Sequence, residues 1–204
     1  MKLEWLGHDG IRISNDEIVI CIDPYQLKGG IPADIVLVTH DHYDHCSQED
    51  IQKVLKDDTI IVSSVGCNTP KKAEEMKAGD KKTIKGIEIE AVPAYNMGKD
   101  FHPKNAGGLG YVVTVDNTRI YHAGDTDCIA EMSDITCDIA LLPVSGTYVM
   151  DPDAAAEAAK KIKPKLAIPF HYGAGVVGTV EDAKKFKSLL EGSGIEVEIK
   201  VEVE

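Results

Sequence analysis

The segment Ile35-Val36-Leu37-Val38-Thr39-His40-Asp41-His42-Tyr43-Asp44-His45 sets a short unbroken apolar run directly against a dense polar group. Four β-branched or branched residues in a row predict a strand buried on both faces. The next residues put three imidazoles and two carboxylates within six positions. Such a group does not fit a core. Imidazole and carboxylate together suit zinc, iron or manganese. A loop at a strand end can aim several of them at one point, whereas a helix does so only at spacings of three or four.

Outward from this segment, the pattern of strand followed by ligand-type residue recurs. The strand ending at Tyr121 runs into His122-Ala123-Gly124-Asp125, and the strand ending near Ile168 runs into Pro169-Phe170-His171-Tyr172-Gly173. A further strand over Ala91 to Tyr95 leads to Asn96 and His102. Strands of one sheet that end together gather their loops at the carboxyl edge, where sites usually form. Asp125 and His171 therefore read as ligands alongside the early cluster. His122 lies on a strand and reads as structural. His8, in the early turn Leu6-Gly7-His8-Asp9-Gly10, divides between pocket lining and turn packing. Cys46 reads as a buried bystander thiol.

The remaining elements follow from periodicity and turn chemistry. Leu3 to Leu6, Ile11 to Ile13 and Ile18 to Ile22 predict strands separated by Gly10 and Ser14-Asn15-Asp16. Ser47 caps a helix whose apolar face is Ile51, Val54 and Leu55. Ile60 to Val62 is a strand. Lys82 to Val92 alternates about a turn at Lys85-Gly86, and Leu109 to Val115 with Thr118 to Tyr121 forms a hairpin at Asp116-Asn117. Ile139 to Leu142 and Leu166 to Ile168 are strands. Asp151 with Pro152 opens a helix burying Ala155, Ala158, Ala159 and Ile162. Thr179 with Asp182 opens another that buries Ala183, Phe186 and Leu190. The tail from Ile195 to Glu204 alternates and predicts a half-exposed edge strand. The order indicates a layered α/β protein with mixed sheets in one domain over residues 1–204.

Composition restricts the function classes. The chain has 204 residues, 22 Lys and Arg against 34 Asp and Glu, and a formal charge of −12. A field of that sign disfavours nucleic acid and anionic membranes. A small anionic substrate stays open, because a divalent ion dominates the charge in its own pocket. Cys21, Cys46, Cys67, Cys128 and Cys137 form no C-x-x-C pair and suit reduced thiols. No apolar run reaches the roughly 20 residues of a membrane span. A cytoplasmic enzyme is the expectation.

His40-x-His42-x-Asp44-His45, with a downstream Gly124-Asp125 and a late His171, resembles the metallo-β-lactamase superfamily over nearly the whole chain. Leu6-Gly7-His8, His122-Ala123-Gly124-Asp125-Thr126 and Pro169-Phe170-His171-Tyr172-Gly173 are most similar to the subgroup resembling L-ascorbate-6-phosphate lactonase. N-acylphosphatidylethanolamine phospholipase D is a more distant relative by the same motifs. The resemblance implies an αββα sandwich of two mixed sheets. It implies two divalent ions, zinc first, with manganese or iron as alternatives. His40 and His42 would bind one ion, Asp44, His45 and His171 the other, and Asp125 both. Asp23, in Cys21-Ile22-Asp23-Pro24, would brace the ligand loops.

One position departs from the family pattern. Where a third imidazole is expected at the first ion, this chain has Asn96. The alternatives are the Asn96 carbonyl, His102 from the same loop, or an open position, and His102 is preferred because an amide oxygen is the poorer zinc ligand.

The activity implied is hydrolysis of a small ester, lactone or phosphoester by a metal-bound hydroxide, whose water falls from a pKa of 15.7 towards about 7. Asp44 would orient or accept the water proton, and Tyr43, His8 or Tyr172 would donate to the oxyanion. The loop Lys99-Asp100-Phe101-His102-Pro103-Lys104 offers two lysines to an anionic group. A phosphodiesterase on nucleotides or phospholipids and a di-iron redox protein are the competing classes. A homo-oligomer through the C-terminal edge strand is conceivable on pattern, although its alternating glutamates oppose close pairing.

Overall fold

The computed structural model describes residues 1–203. Six strands build one sheet in chain order: β1 (Lys2–Gly7), β2 (Gly10–Ser14), β3 (Val19–Ile22), β4 (Ile35–Val38), β5 (Ile60–Ser64) and β6 (Glu74–Met76). The first three pair antiparallel, and β3 to β6 pair parallel. Seven strands build the other: β7 (Lys81–Ile84), β8 (Ile87–Pro93), β9 (Leu109–Val115), β10 (Thr118–His122), β11 (Ile139–Pro143), β12 (Leu166–Phe170) and β13 (Glu196–Val197), in reverse spatial order. Here β7 to β10 are antiparallel and β10 to β13 parallel. Both sheets are mixed, as expected.

The four-residue run of β4 shows why the layers form. All four residues are buried. Ile35 and Leu37 join the core that includes Ile11 and Ile20 of one sheet and Ile89, Tyr111 and Val113 of the other. Val36 and Val38 point the opposite way, into a second core with Ile51 and Val54 of helix α1 (Gln48–Val54). Two-residue alternation thus feeds two different layers from one strand. On the outside of the other sheet lie α2 (Pro152–Ile162) and α3 (Val180–Leu189), with the Asp151 cap and the Thr179–Asp182 capping box that the sequence predicts. The result is helix, sheet, sheet, helix.

The tail departs from expectation. Only Glu196 and Val197 add to the sheet edge, beside Leu166 and Ala167. The chain then crosses to the first sheet, where Val203 N donates to Trp5 O and Glu202 forms a parallel bridge with Trp5. Alternation identifies an extended segment but not the strand it will pair with, and a second partner at the other sheet wins here. Glu204 lies outside the described residues. The short strand β6 carries no alternation strong enough to be read in advance.

Direction is what matters for the site. Strands β1, β3 and β4 run parallel to one another by the pairings of their sheet, and β8, β10 and β12 by those of theirs. The loops that follow these strands begin at His8, Asp23, Thr39, Ala94, Ala123 and His171. The sheets are stitched together at this edge. Tyr111 Oη donates to Val38 O at 2.9 Å, Leu109 N to Thr39 O at 3.0 Å, and His171 N to His8 O at 3.0 Å.

Candidate metal centre

His40 and His45 of the early cluster are each anchored through one ring nitrogen and present the other, as are His102 and His171. His45 Nδ1 lies 2.8 Å from Asp23 Oδ2, and Asp23 Oδ1 also accepts from Thr39 N at 2.8 Å. A carboxylate only accepts, so His45 donates through Nδ1 and aims Nε2 at the cluster. Asp23 therefore braces the ligand loop. His102 Nδ1 lies 3.1 Å from Tyr148 O, which fixes its Nε2 inward by the same reasoning. His40 Nδ1 meets Thr39 Oγ1 at 3.0 Å, and His171 Nδ1 meets Ser145 Oγ at 2.6 Å.

The inward atoms form three overlapping groups: His40, His42 and His102; His40, His45 and Asp125; and His8, Asp9, His45 and His171. Within the first, His42 Nδ1 is 3.0 Å from both His40 Nε2 and His102 Nε2. His102 Nε2 carries no proton when its Nδ1 donates, so lone pairs converge on a point where one proton cannot serve them all. Asp125 lies between the groups. Its Oδ1 is 3.5 Å from His45 Nε2, and its Oδ2 is 3.3 Å from His102 Nε2 and 3.4 Å from His171 Nε2.

His45 Nε2, Asp125 Oδ1 and both carboxylate oxygens of Asp9 are buried without a hydrogen-bond partner. Buried polar atoms are normally satisfied, and buried charges normally pair or bind metal. These donors and their orphaned atoms fit divalent cations.

Titration behaviour divides along the same line. Burial, with the neighbouring His45, pushes the His40 imidazole well below its usual range, and burial likewise lowers His102. Burial acts the same way on His45 and His171, but the carboxylates outweigh it. Asp125, Asp9 and Asp23 hold His45 well above its usual range, and Asp9 and Asp125 push His171 up to about 9. Burial raises Asp125, yet His171 and His45 hold it well below the usual carboxylate range.

The other candidates fall as follows. Asp44 Oδ2 is 3.1 Å from His8 Nε2, and its Oδ1 is 4.0 Å from His45 Nε2. His8 is buried and its ring faces His171 at 4.4 Å between centroids. Tyr43 is 67% exposed, its ring edge-on to Tyr25 at 5.9 Å. Tyr172 is buried against Trp5, and its Oη has no partner. His102, not Asn96, enters the imidazole group. The Asn96 amide nitrogen instead donates to Phe101 O and Tyr148 O and steadies the loop that carries His102. His122 is structural: Nε2 lies 3.0 Å from Asp9 O. All five cysteines are free. The loop lysines are engaged elsewhere, Lys99 with Asp127 and Val149 O, Lys104 with Glu131.

Sequence reasoning missed two residues. Ser145 follows β11, a strand end whose loop was left unread although it obeys the same rule as its neighbours. Asp9 adjoins His8 in the quoted turn, yet a turn aspartate is ordinary until tertiary packing buries it.

Several site residues occupy left-handed backbone. His8, Asp23, His102 and His171 have φ of 47°, 42°, 56° and 61°. Non-glycine residues rarely adopt this region, and such strain gathers at functional sites. Gly124 precedes Asp125 for a related reason: with φ of 63°, a Cβ there would stand 2.5 Å from Leu109 O.

Comparison with known proteins gives the family of the chain. Residues 2–171 match the family model of the beta-lactamase superfamily domain. A "UPF0173 metal-dependent hydrolase" of Methanoculleus marisnigri is 37% identical over 185 residues, covering 84% of this chain and 81% of the relative. Another from Methanopyrus kandleri is 33% identical, covering 98% and 95%. A crystal structure of a Parabacteroides distasonis protein superposes with a TM-score of 0.84 at 35% identity, covering 99% of this chain and 93% of the other.

Proposed function

We propose, for a chain that belongs to the metallo-β-lactamase superfamily and to its UPF0173 metal-dependent hydrolases, that the polar cluster is a two-cation hydrolytic centre for a small ester, lactone or phosphoester. The observation that carries this reading is the convergence of anchored imidazoles and orphaned carboxylate atoms around Asp125. His40, His42 and His102 would hold one cation, Asp44, His45 and His171 the other, with Asp125 shared. Zinc suits this donor set best, with manganese or iron as substitutes. When bound, the cations supply an acidified water at neutral pH and polarise the attacked carbonyl or phosphoryl oxygen.

The chain's own groups supply positioning and proton handling. Burial raises the Asp44 carboxyl, but its contact with His8 and the charge of His45 outweigh that and lower it, so it is ionised at neutral pH. With Oδ2 held by His8, Oδ1 is the atom that would face the cation, and from there Asp44 would orient the acidified water. Tyr172 Oη, without a partner among the described residues, would donate toward the developing oxyanion, while His8 Nε2 holds Asp44 in place. Asp23, Ser145 and the Tyr148 carbonyl fix imidazole orientation. The lysines near His102 are committed to Asp127 and Glu131, so an anionic substrate group would be met by the cations themselves. A lactone or a phosphorylated small molecule remains the favoured substrate. Among the described residues no helix is long and apolar enough to cross a membrane, and the five free thiols support a reducing, cytoplasmic setting.

The test combines elemental analysis with a panel of lactone, phosphodiester and thioester substrates on protein purified without chelator. Two equivalents of metal and hydrolysis of one class are expected. Protein that takes up no metal, or metal uptake unchanged in His42→Ala and Asp125→Ala, overturns the reading.

A further inference from the structure

One buried carboxylate of the cluster is given no role in the hydrolytic centre proposed above. Asp9 sits in the Gly7 to Gly10 turn between β1 and β2, just after the register shift between Trp5 and Gly7. It is 0% exposed, and neither oxygen has a hydrogen-bond partner. Its Oδ2 is 3.1 Å from His8 Nε2, but that contact is not aligned as a hydrogen bond, and the ring bonds to Asp44 instead. The same oxygen lies 3.8 Å from His45 Nε2 and 3.8 Å from His171 Nε2. One atom from each of His8, Asp9, His45 and His171 falls within 4.8 Å of all the others.

The backbone that carries this side chain is held in place from several sides. The Asp9 carbonyl meets His122 Nε2 at 3.0 Å. The preceding His8 carbonyl accepts from Trp5 Nε1 at 2.9 Å and from His171 N at 3.0 Å. A carboxylate buried this deeply costs several kcal/mol unless it is paired or coordinates a metal. Two donors on one ion, at bonds of about 2.0–2.2 Å, stand roughly 3–4 Å apart. The distances of Asp9 Oδ2 to the two imidazoles fit that span, as do those of Asp125.

We propose that Asp9 is a direct carboxylate ligand of the cation shared by His45 and His171. The inference rests on the metal reading above and extends it. With Asp125 shared, Asp9 and Asp44 join His45 and His171 at one position while His40, His42 and His102 hold the other, so the two positions differ in chemistry. The carboxylate-rich position favours manganese or ferrous iron with more than four ligands. The imidazole-rich position favours zinc. The protein is therefore selective between its two positions, and Asp9 creates the difference.

The experiment uses full-length protein, stripped and then reloaded with manganese alone, zinc alone, or both. Wild type is expected to take one manganese, detected by electron paramagnetic resonance, and one zinc. Asp9→Asn keeps the size of the side chain and removes its charge. It is expected to weaken manganese binding at least about tenfold while one zinc is retained. Asp9→Ser serves as the second variant if Asp9→Asn folds poorly, with circular dichroism reporting the fold of both. Cobalt(II) at the same position gives an independent signature: its visible absorption should be weak in wild type and intensify as coordination falls to four in the variant. Unchanged manganese affinity and an unchanged cobalt spectrum in a folded variant overturn the role of Asp9. Wild type that binds no metal at all overturns the metal reading itself, a separate outcome.

Discussion

The two halves of the centre are built in different ways. Two members of the imidazole half, His40 and His42, come from one loop, and its third, His102, swings in from the loop after β8. The carboxylate half is drawn from three separate strand ends, after β1, β4 and β12, with no two of its imidazoles from one loop. In the first half the rings face one another at 3.0 Å. In the second they face acids, at 3.4 Å and 3.5 Å from Asp125. A short loop motif is therefore enough to place most of one half, whereas the other exists only once the two sheets have docked.

The largest test of this contrast is removal of the shared group. Asp125→Ala should abolish uptake in both halves, while His42→Ala should leave one equivalent of metal at the carboxylate half. Loss of a cation that contributes several kcal/mol to the transition state should lower turnover by about 10³-fold or more in either variant. Elemental analysis of the two variants side by side distinguishes them, and equal metal content would erase the distinction between halves.

Next in size is the brace beneath the loop. Asp23 accepts from Thr39 N and holds His45 Nδ1, fully buried. Asp23→Ala leaves these groups without a partner and should cost about 3 kcal/mol in denaturant unfolding. By contrast, Ser145→Ala removes a single contact to His171 and should cost about 1 kcal/mol.

The smallest effect is a pH signature of the metal-free chain, and its sign differs between halves. His171, pushed up to about 9, binds its proton more tightly when folded. Its stabilisation is complete below the ordinary imidazole value of about 6.5 and fades as pH rises through about 9. His40 and His102, lowered by burial, favour the neutral ring, so their contribution is present above about 6.5 and is lost as pH falls below it. Thermal melts of chelated protein should therefore fall away on both sides of an optimum. His171→Asn should reduce the alkaline fall only in part, because His45 is also held well above its usual range. Metal loading should flatten both.

How much of this was legible depended on whether the signal was local. The β4 run, the His40 to His45 cluster and the caps Ser47, Asp151 and Thr179 are local, and they describe most of the layered fold and the imidazole half. The strand-end rule extended that reading to Asp125 and His171. Asp9 resisted it, because its meaning comes from the burial that His122 and His171 impose across the sheet interface. Ser145 lay in a loop with no histidine to draw attention to it. In the tail, the pattern from Ile195 onward was correct about extended backbone, but the partner was Trp5 of the opposite sheet rather than a long edge.

The left-handed backbone at His8, Asp23, His102 and His171 has an evolutionary corollary. Glycine or asparagine fits that conformation with less steric penalty than these residues, by about 1–2 kcal/mol at each position. A library selected only for thermal endurance without metal should drift toward glycine at His8 and His102 and become inert, but keep Asp23, whose bonds to Thr39 and His45 outweigh the backbone gain. Persistence of imidazole at those two turns would mean that selection has acted on chemistry at the expense of robustness.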